Sequence, residues 1–356
     1  MPSRGVKDKF SRWLEEREGK CLVAGPCSVE SEEQVVHTAL ALARHPVTLL
    51  RGGIWKPRTR PGSFEGMGAK ALPWLKSAGE ISGLPVATEV ATPQQVELCL
   101  KAGIDVLWIG ARTTTSPIMV QEIAGSLAGV DVPVMVKNPM NPDLQLWIGA
   151  IERLSNAGVQ RLVAVHRGFS THMRRKYRNQ PLWDIPAEFR QNFPEMPLLC
   201  DPSHISGKRC YIAAIAQDAM DMGFDGLMVE SHWSPQTALT DAQQQLTPVQ
   251  YGRLIRELLR STSSCQALPD MELRNLLREV EEIESDLGVL LCKRQRVSRA
   301  LEQYRSRQNS LTRTWTRICA NRCKGGEEQA GEAEECDGGE CENCLEEEDA
   351  RGMAAD

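Results

Sequence analysis

Cys27, His204, Glu230 and Asp241 lie on different loops, the first three at or just past the ends of short apolar runs. Thiolate, imidazole and carboxylate donors together suit Mn, Fe(II), Co or Zn better than Mg. Each residue also has a plainer explanation. Cysteine is often simply buried, and Asp241 in LTDAQQQL could cap a following helix. A second group is cationic: Arg51, Lys56, Arg58, Arg112, Lys137 and Arg167 all follow apolar runs. Most lysines and arginines are solvated surface charges. Cations converging on one mouth, however, would repel unless anions lay between them. Arginine grips phosphate with a planar fork and lysine supplies a point charge, so this set points to more than one phosphate group.

The elements that must position these residues are eight strand-like runs: CLVAGPC, VTLLRGG, LPVATEV, DVLWIGAR, VPVMVKN, RLVAVHRG, PLLCDPSH and DGLMVESH. Their ends carry Cys27, Arg51, Glu89, Arg112, Lys137, Arg167, Asp201 with His204, and Glu230. Continuous apolar runs are strands buried on both faces, and their alternation with helical patterns implies parallel β-α units. Eight units over about 250 residues match a (β/α)8 TIM barrel, whose active site lies at the C-terminal ends of the strands. An open doubly wound sheet is the structural rival, but it would not explain reactive residues at all eight run ends.

The barrel is expected over residues 19–262, after an N-terminal helical extension, 1–18, that plugs the barrel floor or supports a subunit contact. Its last helix is TPVQYGRLIRELLR, with Thr247 as N-cap and Pro248 at the first helical position. A small, polar linker covers 263–270. Residues 271–324 carry an amphipathic helical segment in which Leu273, Leu276, Leu277, Val280, Ile283 and Leu287 recur at spacings of three and four. The Glu- and Gly-rich tail, 325–356, is expected to be disordered. It holds Cys336, Cys341 and Cys344, whose spacing matches no standard zinc finger.

The 356 residues are 41% hydrophobic and 25% charged, values ample for one large core and an appendage. A net charge of −5 argues against general nucleic-acid affinity. No apolar run approaches transmembrane length, and the charged N-terminus does not read as a signal peptide. The twelve cysteines are therefore expected to be reduced thiols of a cytoplasmic protein.

The motifs GPCSVES, LLRGGIWKPRT, IGARTTT, MVKNP, VHRGF, DPSHISGKR and MVESH, in this order, closely resemble 3-deoxy-D-arabino-heptulosonate 7-phosphate (DAHP) synthases of the I-beta type. The resemblance covers about residues 19–245. It implies condensation of phosphoenolpyruvate (PEP) with erythrose 4-phosphate, the first step of the shikimate pathway. It also implies small-molecule substrates, a divalent metal (Mn, Fe, Co or Zn) and a homo-oligomer, dimer or tetramer. It assigns Cys27, His204, Glu230 and Asp241 to the metal, and Arg51, Lys56, Arg112, Lys137 and Arg167 to PEP. Lys56, Pro57, Arg58 and Thr59 match the erythrose 4-phosphate loop. Lys137 and Lys56 are the candidate catalytic proton donors, with metal-bound water as the competitor. His166 is a further candidate for the pocket or, equally, a packed histidine. The related 3-deoxy-D-manno-octulosonate 8-phosphate (KDO8P) synthases share the barrel but typically carry K-A-N-R where this chain reads Lys56-Pro57-Arg58-Thr59. A non-catalytic barrel that scaffolds a partner mutase is the alternative from another class.

REVEEIESDLGVLLCKRQRVSRALEQYR resembles the helical chorismate mutase domain fused to some DAHP synthases. The resemblance implies that Arg294 and Arg305 would bind chorismate. Three features depart from it: Leu277 stands where the family has an arginine, Arg305 replaces lysine, and later helices cannot be recognised after Thr316. The expectations for this segment are an active mutase, or a regulatory or dimerising remnant.

Overall fold

The computed structural model describes residues 8–57, 62–171 and 176–263. Eight strands run through it: β1 (Cys21–Gly25), β2 (Leu49–Arg51), β3 (Val86–Val90), β4 (Val106–Ile109), β5 (Val134–Lys137), β6 (Leu162–His166), β7 (Leu198–Cys200) and β8 (Gly226–Glu230). Each pairs in parallel with the next, and β8 pairs with β1, so the sheet closes into a barrel. Closure excludes the open doubly wound sheet.

The helices between strands begin where local chemistry starts them. Ser31, Thr92, Ser116 and Asp143 each accept a backbone N–H of the first turn, capping helices Glu32–Leu42, Pro93–Lys101, Pro117–Ser126 and Leu144–Asn156. Thr247 Oγ1 does the same for Gln250 N at 3.2 Å, ahead of helix Pro248–Ser263.

Strand alternation divides the side chains between two cores. Leu22, Ala24, Leu50, Leu107, Ile109, Val136, Ala164, Leu227 and Val229 face outward and bury against the helices. Val23, Leu49, Ala87, Trp108, Met135, Val165, Leu199 and Met228 fill the barrel interior. At the opposite end from the strand tips, helix Lys9–Glu16 adds Phe10 and Trp13 to that interior core. Phe10 is fully buried, so this helix supplies the barrel floor. Asp8 starts it by accepting the N–H groups of Phe10 and Ser11.

The same parity continues past the apolar residues. Arg51, Glu89, Lys137, Arg167, Asp201 and Glu230 each lie an even number of positions from an inward-facing neighbour, so all six point to the barrel mouth. The calls on residues 271–324 and on the tail fall outside the described residues, as do Arg294 and Arg305.

Candidate active site

At the mouth, Cys27, Glu230 and Asp241 each bring a donor atom within 4.8 Å of the others. Cys27 Sγ lies 3.2 Å from Asp241 Oδ2 and 3.2 Å from Lys56 Nζ. His204 stands beside this trio, with Nε2 3.6 Å from Glu230 Oε1. Its other ring nitrogen, Nδ1, lies 2.7 Å from Asp201 Oδ2, an arrangement that turns Nε2 toward the carboxylates. Asp241 has a left-handed backbone (φ 50) and precedes no helix start; the next α-helix begins at Pro248. The capping explanation therefore falls away, and its carboxylate is taken up by Cys27 and Arg178 instead.

The donor set fits a divalent cation. Glu230 Oε1 is buried and has no hydrogen-bond partner among the described residues. Arg51 Nη2 lies 3.1 Å from it, without the geometry of a hydrogen bond. Arg51 thus faces this oxygen as a buried cation without bonding to it, and the oxygen's lone pairs remain open to a metal ion. Burial, with the Glu230 carboxylate adding, pushes the Cys27 thiol up against the pull of Lys56. Cation binding there would release the thiol proton. Burial alone would raise Asp241 and Glu230 too. The charge of His204, with Arg178 for Asp241 and Arg51 for Glu230, holds both below their ordinary values.

Next to the trio, a cavity of about 230 Å³ is lined by five cationic side chains, Lys56, Arg112, Lys137, Arg167 and Arg178, with His204 and Asp241 on its wall. Arg51 lies beneath, 1% exposed, its guanidinium 5.0 Å from the Trp108 ring centre. Its Nε and Nη1 have no hydrogen-bond partner among the described residues. Lys137 Nζ is 5.9 Å from the same ring and 2.7 Å from Asp201 Oδ2. Burial lowers the Lys137 pKa, with Asp201 opposing. Burial also lowers Arg167, to about 10; Asp201 opposes this, while Arg178 and Arg112 add to it. Buried, unpaired guanidinium donors beside crowded cations make a receptor for anions.

Two glycines make room for this arrangement. A Cβ on Gly53 would sit 2.6 Å from both Cys27 O and Lys56 Nζ, so the bare position lets Lys56 fold back onto Cys27. A Cβ on Gly110 would collide with the Glu89 carboxylate on the cavity wall.

The structure thus gathers Cys27, Glu230 and Asp241 with His204 at their edge, and Lys56, Pro57, Arg112, Lys137 and Arg167 around the adjoining cavity. Arg58 and Thr59 lie outside the described residues. His166 does not reach the pocket. It has the opposite parity to Arg167 and packs among Phe169, Trp183 and Phe224 at ring distances of 5.3–6.2 Å. Sequence reasoning missed Arg178, which follows no strand, and the buried pair Gln244 and Gln245, which read as ordinary polar loop residues. Nothing in the DVLWIGAR run marks Trp108 as the indole that faces Arg51 and Lys137.

A closed (β/α)8 barrel whose mouth joins a thiol–carboxylate cluster to a cation-lined cavity is a barrel enzyme built for anionic substrates. The family model described as the DAHP synthetase I family matches residues 15–266. A phospho-2-dehydro-3-deoxyheptonate aldolase of Thermotoga maritima is 31% identical over 237 residues, spanning 67% of this chain and 68% of that protein. A 2-dehydro-3-deoxyphosphooctonate aldolase of Nitratidesulfovibrio vulgaris is 26% identical over 259 residues, spanning 67% and 90%. The crystal structure of the Thermotoga maritima DAHP synthase superposes with a TM-score of 0.63 at 29% identity, covering 69% of this chain and 71% of that one. The chain belongs to the DAHP synthetase I family.

Proposed function

We propose that the protein is a 3-deoxy-7-phosphoheptulonate synthase, joining PEP, erythrose 4-phosphate and water to give DAHP and phosphate. The observation that carries this reading is the junction of the Cys27–Glu230–Asp241 trio with the cation-lined cavity, inside a chain of this family. Cys27, His204, Glu230 and Asp241 would hold a divalent ion. When bound, that ion supplies Lewis-acid polarisation of the sugar aldehyde. Arg51, Lys56, Arg112, Lys137 and Arg167 bind PEP, and Lys56 to Thr59 hold the sugar phosphate. The cations thereby offset the repulsion between two anionic substrates and set them in attack geometry. PEP carbon 3 bonds to the aldehyde carbon, water adds at carbon 2, and phosphate leaves by carbon–oxygen cleavage. Lys137, with a pKa lowered by burial, and Lys56, folded onto Cys27, are the proton donors nearest this chemistry.

The Lys56-Pro57-Arg58-Thr59 sequence favours erythrose 4-phosphate over the arabinose 5-phosphate of KDO8P synthases. Comparison of kcat/KM on the two sugars tests this choice. A preference for arabinose 5-phosphate would overturn it. For residues 271–324, the reading that best suits the missing family arginine at Leu277 is a remnant that regulates or dimerises the barrel.

A further inference from the structure

The loop after β8 carries Asp241, and three and four residues further on it buries two consecutive amide side chains, Gln244 (1% exposed) and Gln245 (fully buried). Each grips a different segment of the trio. Gln244 Nε2 donates to Glu230 Oε2 at 2.7 Å, while its Oε1 accepts from Arg178 Nη1 at 2.9 Å. Gln245 Oε1 accepts the backbone N–H of Cys27 at 2.9 Å, while its Nε2 donates to Thr240 O at 2.8 Å. The Ser28 and Thr240 hydroxyls, next in sequence to Cys27 and Asp241, close the same connection at 2.8 Å.

We infer that Gln244 and Gln245 are positioning residues that assemble the metal site from the Asp241 loop. Gln245 sets where the Cys27 thiol stands relative to Asp241. Gln244 occupies Oε2 of Glu230 and leaves Oε1, which accepts no hydrogen bond among the described residues and has Arg51 Nη2 at 3.1 Å, as its one ligating atom. A primary amide suits both tasks, because it carries a donor and an acceptor on one rigid plane. Fixed second partners of this kind set the affinity and geometry of a metal site. The inference rests on the metal reading of Cys27, Glu230 and Asp241.

The test is titration of Co(II) into the metal-stripped full-length protein, followed by the thiolate-to-cobalt charge-transfer band and the visible d–d bands. Wild type should show the charge-transfer band and Cys27→Ala should lose it. If wild type binds no Co(II), the metal reading fails and takes this inference with it. Gln244→Met and Gln245→Met should each weaken Co(II) binding by about 10- to 100-fold, whereas the exposed neighbour Gln243→Ala should bind as wild type. Per bound cobalt, Gln245→Met should lower the charge-transfer band. Gln244→Met should keep that band but weaken the d–d bands, as freed Oε2 raises the coordination number. General loosening of the loop would change both alike. Should a methionine variant fail to fold, Gln244→Asn and Gln245→Asn, which keep an amide but shorten its reach, are read in the same way. Wild-type affinity and spectra in folded Gln244 and Gln245 variants, with the band still lost in Cys27→Ala, would overturn the inference and leave the metal reading intact.

Discussion

Asp201 is fully buried and its Oδ2 meets both Lys137 Nζ and His204 Nδ1 at 2.7 Å. One carboxylate therefore orients the candidate proton donor and the candidate metal ligand. Burial would raise its pKa, but His204, Lys137 and Arg51 hold it well below the usual range. Lys137→Met should lower kcat/KM by about 10²- to 10⁴-fold, the usual contribution of a positioned acid. In the wild type the alkaline limb of the kcat/KM profile should fall at lower pH than an ordinary lysine would set, because burial lowers Lys137. An alkaline limb unmoved by Lys137→Arg would remove Lys137 from the proton-donor role. His166 gives a stability prediction. Burial, with the Arg167 charge adding and the Pro181 backbone weakly opposing, lowers its pKa to about 3. The unfolded chain takes up this proton below about pH 6.5, while the folded chain does not until about 3. Folding stability is thus intact above about pH 6.5 and declines as pH falls toward 3. His166→Leu should flatten that decline in denaturant titrations run across this range, and an unchanged slope would count against the buried neutral imidazole.

At the scale of elements, the floor helix Lys9–Glu16 closes the barrel through Phe10. Phe10→Ala should cost about 3–5 kcal/mol, as for other buried aromatics, read as a lower urea midpoint. The substrate cavity lies at the other end, so kcat on the folded fraction should hold. What was legible in the sequence follows the same division. Strands have a period of two, so the run that places Val165 inward also places Arg167 at the mouth, and the spacing from Leu49 to Arg51 does the same. The eight runs, Arg51 and the cavity cations Lys137 and Arg167 could be read in this way. Loops have no such period. Arg178 reaches Asp241 and Gln244 from a segment after β6 that has no strand to align it. Gln244 and Gln245 look like solvent-facing amides until closure of the barrel brings Glu230 and Cys27 against them. Trp108 was visible as an apolar strand residue, but its place under Arg51 and Lys137 depends on contacts across β2, β4 and β5.

Over the whole molecule, a chain of net charge −5 concentrates cations at one mouth, with Arg51, Lys137 and Arg167 buried. Both proposed substrates are phosphates, so raising ionic strength should lower kcat/KM more than kcat, since screening weakens capture of anions. Equal falls in the two would place the effect after capture. Truncation at about residue 266 should leave the barrel folded but change its assembly state or, if residues 271–324 are a regulatory remnant, its response to prephenate or chorismate, the effectors that the resemblance to a chorismate mutase domain implies. If sedimentation and inhibition are both unchanged, the regulatory-remnant reading of residues 271–324 fails. The most direct test of the proposed synthase activity is PEP consumption with erythrose 4-phosphate, in Mn(II) and then in EDTA, by wild type and by Cys27→Ala. Turnover is expected in Mn(II), with its loss in EDTA and little or none in Cys27→Ala under either condition. No turnover by folded, Mn(II)-loaded wild type, or full turnover by Cys27→Ala, would contradict the proposal.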